Sequence, residues 1–427
     1  MISLAEARAA VLAERRPLPV VHRPAAEAVG SVLGAALRAT EPLPRFANSA
    51  MDGYAVIAAD TAGAPVTLQV VGEVLAGDTT GPTVGPGQAV RIMTGALLPP
   101  GADAVCMVEH TRADGDSKVE VQVPVTPGLH VRRPGEDVAE GSVVFDAGTV
   151  LTPAHLGVLA SLGCAQVPVH RQPVVAVLST GNELEASSGP LPPGRIRDAN
   201  RPALLATMAA DGFDTLDLGA IGDDEQAVAA ALRHAADRAD AVVTSGGVSV
   251  GDRDVVRMVL QELGGGDVQW MQVAIKPAKP FAFGHLGKHR TPVFGLPGNP
   301  VSALVSYELF VRPSLRIMAG YQRLDRPIVR ATLAARVNRA PDGKLHLVRV
   351  QARIASDGTL VAEPVSGQGS HQLRSLADAN ALALVPDGDG CPAGASVALL
   401  LLDADALTAT DGSPLGLAPG HEVLPPW

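Results

Sequence analysis

Three glycine-bearing segments have the composition of loops that take up an oxyanion: Ser179-Thr180-Gly181-Asn182-Glu183-Leu184, Thr244-Ser245-Gly246-Gly247-Val248-Ser249-Val250-Gly251-Asp252 and Gly295-Leu296-Pro297-Gly298-Asn299-Pro300. Glycine lets a ligand approach the backbone, and free N–H groups at a helix start attract negative charge. A helix terminus supplies only about 0.3–1 kcal/mol per exposed charge, too little for a multiply charged ligand. Lys276 and Lys279 in Ile275-Lys276-Pro277-Ala278-Lys279-Pro280 would supply the rest, two ammoniums held in place by prolines. A tight strand-to-helix turn explains any one of these loops alone, and solvation explains most lysines. Their combination points to an anion site.

A second group is acidic: Asp52 within Asn48-Ser49-Ala50-Met51-Asp52-Gly53-Tyr54-Ala55-Val56, Asp137 after Gly135-Glu136, Glu183 in the first loop, and Asp252 and Asp254 closing the second. Carboxylates beside an anion site make sense when they hold a hard cation; magnesium takes one or two of them plus phosphate oxygens. Helix capping explains Asp252 equally well. Asp52 has apolar flanks and begins no helix, so capping does not explain it.

The elements that must position these loops lie between about Pro173 and Met318. Val174-Val175-Ala176-Val177-Leu178 is an unbroken apolar run, as in a strand buried on both faces. Thr215–Leu218, Ala241–Thr244, Val268–Val273, Phe281–Phe283 and Val293–Phe294 read as further strands. Helices are expected from Asn200 to Gly212, over Glu225–Arg238 behind the cap pair Asp223-Asp224, over Val255–Leu263, and from Asn299-Pro300 to Phe310. This alternation implies a doubly wound, mostly parallel α/β domain, residues 171–325, with ligands at the carboxyl ends of its strands.

The rest of the chain reads as α/β plus β in a multidomain arrangement. Ile2 to about Leu37 is expected to be helical, broken by Pro17, Pro19 and Pro24, and Asp137 to about His170 returns to helix. Residues 1–44 with 138–170 are therefore expected to form one discontinuous domain, the second stretch packing on the first. Residues 45–137, with β-branched runs such as Val66–Val74 and Lys118–Val123 between Gly-Pro turns, read as a small loop-rich β domain. Residues 326–404, with a hairpin at Asp357-Gly358, read as a C-terminal β-barrel-like domain, and 405–427 as a flexible tail.

Composition narrows the class. In 427 residues aromatics make up only 3%, so the cores are built from Ala, Val and Leu. A net charge of −10 with no basic stripe excludes a nucleic-acid binder, and no apolar run approaches a membrane span. The three scattered cysteines exclude a disulfide framework. An ordinary amphipathic N-terminus implies a cytoplasmic protein.

The segments Asn48–Val56, Arg91-Ile92-Met93-Thr94-Gly95-Ala96 with Pro100-Gly101-Ala102-Asp103, Gly135-Glu136-Asp137, Ser245–Asp252 and Gly295-Leu296-Pro297-Gly298-Asn299-Pro300-Val301-Ser302 resemble the molybdopterin molybdenumtransferases, the family of bacterial MoeA and the E domain of gephyrin. The resemblance implies four subdomains and an elongated homodimer with each active site formed between protomers. It implies contact with other molybdenum-cofactor enzymes, and magnesium-dependent insertion of molybdenum from molybdate into adenylylated molybdopterin with release of AMP. Carried over by position, Asp52, Thr94, Asp137, Glu183 and Asp254 match polar residues of the family's cleft, and Asp52, Asp137 and Glu183 would position magnesium. Ser245, Gly246, Gly247, Pro297 and Asn299 match the pterin loops, and Lys276 and Lys279 the anion-binding positions. Arg349 and Ser370 match contributions of the C-terminal domain. Two departures stand out: Asn182 replaces a common Asp, and Ala278 a usual Gly, which matters if that backbone needs φ > 0. A non-catalytic pterin-binding scaffold, or a pyrophosphatase on the same α/β domain, are the competing readings; AMP release that depends on molybdate separates both from the transferase.

Overall fold

The computed structural model describes residues 1–115, 117–185, 188–247 and 255–407. The chain divides into two compact units, residues 21–169 and residues 1–20 with 170–427.

The second of these is built on a six-stranded sheet. Its strands are β1 (Val174–Thr180), β2 (Asp214–Ile221), β3 (Ala241–Ser245), β4 (Gln269–Gln272), β5 (Pro280–Leu286) and β6 (Thr291–Leu296), in the spatial order β2-β1-β3-β6-β5-β4. The first four in that order are parallel, and β5 and β4 continue antiparallel. The sheet is buried on both faces, which is why β1 reads as a continuous apolar run rather than an alternating one. Val175 and Val177 enter one core with Leu204 and Met208 of helix Asn200–Ala210 and Val301 of helix Pro300–Ser306. Ala176 and Leu178 enter the other with Val228 and Leu232 of helix Glu225–Arg238 and Val256, Val259 and Leu260 of helix Val255–Leu263.

Five strands of the same unit, β7 (Ile328–Leu333), β8 (Leu345–Ile354), β9 (Leu360–Pro364), β10 (Ala381–Val385) and β11 (Ser396–Leu401), close into a barrel as β8-β9-β7-β11-β10-β8. Along β8 the pleat sends Val348, Val350 and Ala352 into the barrel core, while Leu347 joins the α/β core together with Leu382 and Leu400. Ile275–Lys276 adds itself in parallel to the start of β8, Lys276 facing His346 in register. The barrel is thus welded to the α/β domain by shared apolar contacts and by the strand that carries the first lysine.

The unit 21–169 holds a second six-stranded sheet, in the order Ala104–Met107, Gly53–Val56, Gln88–Ile92, Val66–Val74, Lys118–Val121 and Thr111–Ala113. A separate core of Ala28, Leu33, Leu151, Leu159, Val167 and Val169 gathers around helix Pro153–Ser161.

Two helical expectations need correction. The N-terminal helix covers only Leu4–Leu12, opened by a Ser3/Glu6 capping box, and the chain is extended over Val20–Pro24. Pro17 and Pro19 deny the backbone its donors, and the β-branched pair Val20-Val21 favours strand. That helix buries Ala7 and Val11 in the core shared by the α/β sheet. Likewise only Pro153–Ser161 is helical between Asp137 and His170, with short strands at Val143–Phe145 and Gln166–His170. No helix among the described residues is long and apolar enough to cross a membrane.

Candidate active site

Register alignment brings the three glycine loops to one level of the sheet. Ser179 of β1 lies opposite Ser245 of β3, and Ser245 opposite Leu296 of β6, so all three loops leave the carboxyl edge side by side. Side chains then tie them together. Asn200 donates from Nδ2 to Ser245 Oγ and to the Gly298 carbonyl, both at 2.7 Å. The Gly246 amide donates to the Leu296 carbonyl at 3.1 Å, and Ser179 Oγ donates to Asp198 at 3.1 Å. Gly246 has φ +94°, and a Cβ there would fall 2.7 Å from the Thr180 carbonyl oxygen, while one on Gly247 (φ +71°) would fall 2.4 Å from Val256 Cβ. Only glycine admits this approach of one loop to the next. The end of the second loop, including Asp252 and the expected catalytic Asp254, lies outside the described residues.

In the first loop Asn182 and Asp223 exchange bonds: the Asn182 amide donates to the Asp223 carboxylate at 3.2 Å, and the Asp223 amide donates to Asn182 Oδ1 at 3.0 Å. Arg195 donates to the Asn182 carbonyl. A carboxamide oxygen accepts as a carboxylate would, so Asn182 keeps the loop's geometry while lowering its charge. Asp224 is the helix cap, accepting from the Ala227 amide at 2.7 Å, which leaves Asp223 to the loop. Glu183 is exposed beside them. Asn299 begins helix Pro300–Ser306 but makes no capping bond with its side chain, and Pro297 beside it is buried.

Lys276 and Lys279 are exposed, and neither has an ion-pair or hydrogen-bond partner for its ammonium among the described residues. Pro277 and Ala278 between them are buried, and Ala278 sits at φ +73°, so the backbone here takes the conformation glycine favours. A cavity of about 430 Å³ opens beside Lys276, walled also by Arg336, Arg339, His346 and Gln368.

Arg349, on β8, is wholly buried. Its Nη2 donates to the carbonyls of Gly367 at 2.8 Å and Gly369 at 3.2 Å, while Nε and Nη1 have no hydrogen-bond partner among the described residues. Burial pushes its pKa down, with no carboxylate opposing. Gln368 is locked to the Arg349 backbone by two 3.0 Å bonds, and the next carbonyl but one, that of Ser370, accepts from the Val301 amide at 3.1 Å. One short loop therefore joins Arg349 to the helix that follows Gly298-Asn299-Pro300.

Asp52, Thr94 and Asp137 lie in the unit 21–169. Asp52 precedes Gly53, whose backbone runs so close to its neighbour that a Cβ would meet the Cys106 carbonyl oxygen at 2.0 Å. Asp52 Oδ1 accepts from the Thr94 amide at 2.6 Å and from the Thr94 hydroxyl at 2.8 Å. These bonds, with a smaller effect of Arg91, hold the Asp52 carboxyl below its ordinary pKa. Asp137 is anchored by its amide on the Leu43 carbonyl, its side chain exposed. The structure thus joins Asp52 to Thr94, and it ties the loops of Ser245, Gly246, Pro297 and Asn299 to one another. Among the described residues no three His, Cys, Asp or Glu side chains converge in the manner of a metal cage. A partly hydrated magnesium needs only one or two carboxylates, so the exposed Asp52, Asp137 and Glu183 fit that kind of site alone. Asn200 opens its helix as the sequence implies, but sequence reasoning missed that its side chain clamps two loops.

The chain matches known proteins over most of its length. Residues 2–163 match the family described as "MoeA N-terminal region (domain I and II)", residues 176–317 "Probable molybdopterin binding domain", and residues 330–402 "MoeA C-terminal region (domain IV)". Molybdopterin molybdenumtransferase 2 of Mycobacterium tuberculosis is 42% identical over 380 residues, covering 87% of this chain and 91% of that protein. Molybdopterin molybdenumtransferase of Haemophilus influenzae is 38% identical over 382 residues, covering 89% and 93%. The crystal structure of the molybdopterin biosynthesis MoeA protein from Pyrococcus horikoshii superposes with a TM-score of 0.80 at 30% identity, covering 94% of this chain and all of that one (100%).

Proposed function

The chain belongs to the molybdopterin molybdenumtransferase family, transferases of molybdenum cofactor biosynthesis, and from that premise we propose that it inserts molybdenum from molybdate into adenylylated molybdopterin and releases AMP. The observation that carries the reading is Arg349: a wholly buried guanidinium with two unpartnered nitrogens, joined by the Gly367–Ser370 loop to the glycine-rich edge. A buried cation without a counter-ion is costly, and an oxyanion such as molybdate supplies one. Lys276 and Lys279, exposed and without an ion-pair partner among the described residues, offset the repulsion between molybdate and the phosphates.

Ser245, Gly246, Gly247, Pro297 and Asn299 hold the pterin substrate by backbone donors and by the uncommitted Asn299 amide. A molybdate oxygen bonds to phosphorus as the phosphoanhydride P–O bond breaks, AMP leaves, and the oxo-molybdenum then passes to the dithiolene sulfurs while that oxygen stays on the phosphate. Asp52, Thr94, Asp137, Glu183 and Asp254 position the reacting groups; Asp52, ionised and fixed by Thr94, acts as a ligand or an electrostatic partner rather than as a base. Magnesium, when bound by Asp52, Asp137 or Glu183, neutralises phosphate charge. In this reading the protein is cytoplasmic and works as a homodimer whose protomers share each active site, in contact with other molybdenum-cofactor enzymes.

Molybdate binding tests the role of Arg349. Equilibrium dialysis with radiolabelled molybdate should show saturable binding to the wild type and about a hundredfold weaker binding to Arg349→Lys, which keeps a charge but loses the planar fork. Equal binding by both removes Arg349 from the anion site.

A further inference from the structure

Four arginines bury their guanidiniums: Arg15, Arg312, Arg339 and Arg349. Arg312 pairs with Asp211 at 3.1 Å, and Arg339 with Asp342 and Asp387 at 2.7 and 2.6 Å. Arg349 belongs to the site above. Arg15 remains, and no carboxylate pairs with it among the described residues. Its Nη2 lies 2.5 Å from His285 Nε2, its Nε has no hydrogen-bond partner among the described residues, and its guanidinium carbon lies 5.6 Å from the centre of the Phe283 ring. Guanidinium nitrogens only donate, so His285 must accept at Nε2 as a neutral ring, with Nδ1–H donating to Asp267 at 2.8 Å. A neutral imidazole does not offset a buried positive charge.

Arg15 lines a polar cavity of about 640 Å³, with Arg16, Asp237, Asp240, His289 and Arg290 among its walls. Asp240 immediately precedes β3 and Thr291 begins β6, so this cavity sits at the amino edge of the parallel strands, opposite the glycine loops. Two of the lining carboxylates are already taken, Glu14 by Arg290 at 3.1 Å and Asp240 by Arg171 at 2.6 Å. Glu14 still acts on Arg15 electrostatically, though burial outweighs it, and Asp237 is the remaining lining carboxylate.

We propose that this cavity is a second anion site, binding a phosphate monoester of nucleoside-monophosphate size with Arg15 as its buried anchor and Arg16 at its rim. A planar guanidinium fork matches phosphate oxygens, and the space exceeds what a bare oxyanion fills.

Isothermal titration of the full-length protein with AMP, and separately with inorganic phosphate, tests the proposal. AMP should show a binding event that Arg15→Met abolishes, that the exposed Arg16→Gln weakens about three- to fivefold, and that Arg349→Lys leaves in place. Arg15→Met should melt no lower than the wild type in phosphate-free buffer, since it removes an unpaired buried charge. If it unfolds, Arg16→Gln still decides. An AMP isotherm unchanged in Arg16→Gln and in folded Arg15→Met, or lost only in Arg349→Lys, overturns the proposal. Inorganic phosphate binding as tightly as AMP overturns the assignment of a monoester.

Discussion

Thr94 places two donors, its amide and its hydroxyl, on the same carboxylate oxygen of Asp52, at 2.6 and 2.8 Å. Both bonds favour the ionised carboxylate, and one oxygen, Oδ2, is left for a further partner. Because the folded pKa lies below the unfolded value, the stabilisation from these bonds is present above about pH 4 and is lost as pH falls through the folded pKa. Asp52 therefore contributes no inflection to turnover between about pH 5 and 8.

Two substitutions separate its charge from its geometry. Asp52→Asn should lower turnover by about a hundredfold or more while pterin binding survives, as for loss of one group acting on developing charge. Thr94→Val should keep the amide bond but move the Asp52 carboxyl pKa upward in a carbon-13 NMR titration. Unchanged turnover in Asp52→Asn would remove it from the reaction.

Ala278 stands at φ +73° and is 2% exposed, between the two lysines. The left-handed conformation costs an L-residue about 1–2 kcal/mol. Replacing it by glycine would relieve that but give up about 0.8 kcal/mol of methyl burial and about 0.4–1 kcal/mol of unfolded-chain restriction. The opposing effects nearly cancel, which explains why alanine is accepted here. Ala278→Gly should shift stability in urea by less than about 1 kcal/mol, whereas Ala278→Val, β-branched at positive φ, should lose more than about 2 kcal/mol.

Asn200 clamps Ser245 to Gly298 with a single amide nitrogen. Asn200→Ala should destabilise the fold by about 1–3 kcal/mol, leaving a hydroxyl and a carbonyl unsatisfied, and should raise KM for the pterin substrate more than it lowers kcat. A loss of stability with KM unchanged would make Asn200 a folding residue alone.

Much of this was legible in the sequence because it is local. The apolar run Val174–Leu178 becomes β1, Gly358 turns at φ +80° where Asp357-Gly358 was read as a hairpin, and Asp224 caps its helix. The connection from Ala13 to Leu37 was misread because apolar spacing there mimics a helix while the prolines and Val20-Val21 set an extended course. What could not be read is non-local. No pattern around Arg349 tells that both its remaining nitrogens lack partners, and none around Asn200 tells that Ser245 and Gly298, 45 and 98 residues away, converge on it. The positive φ of Ala278 was visible only as a departure from glycine in a resembling family.

The most direct test of the proposed reaction incubates purified protein with adenylylated molybdopterin and magnesium, and quantifies AMP with and without molybdate. The geometry of Arg349, Lys276 and Lys279 predicts AMP release that requires molybdate and falls about a hundredfold in Arg349→Lys. Tight pterin binding without AMP release, or release indifferent to molybdate, would contradict it.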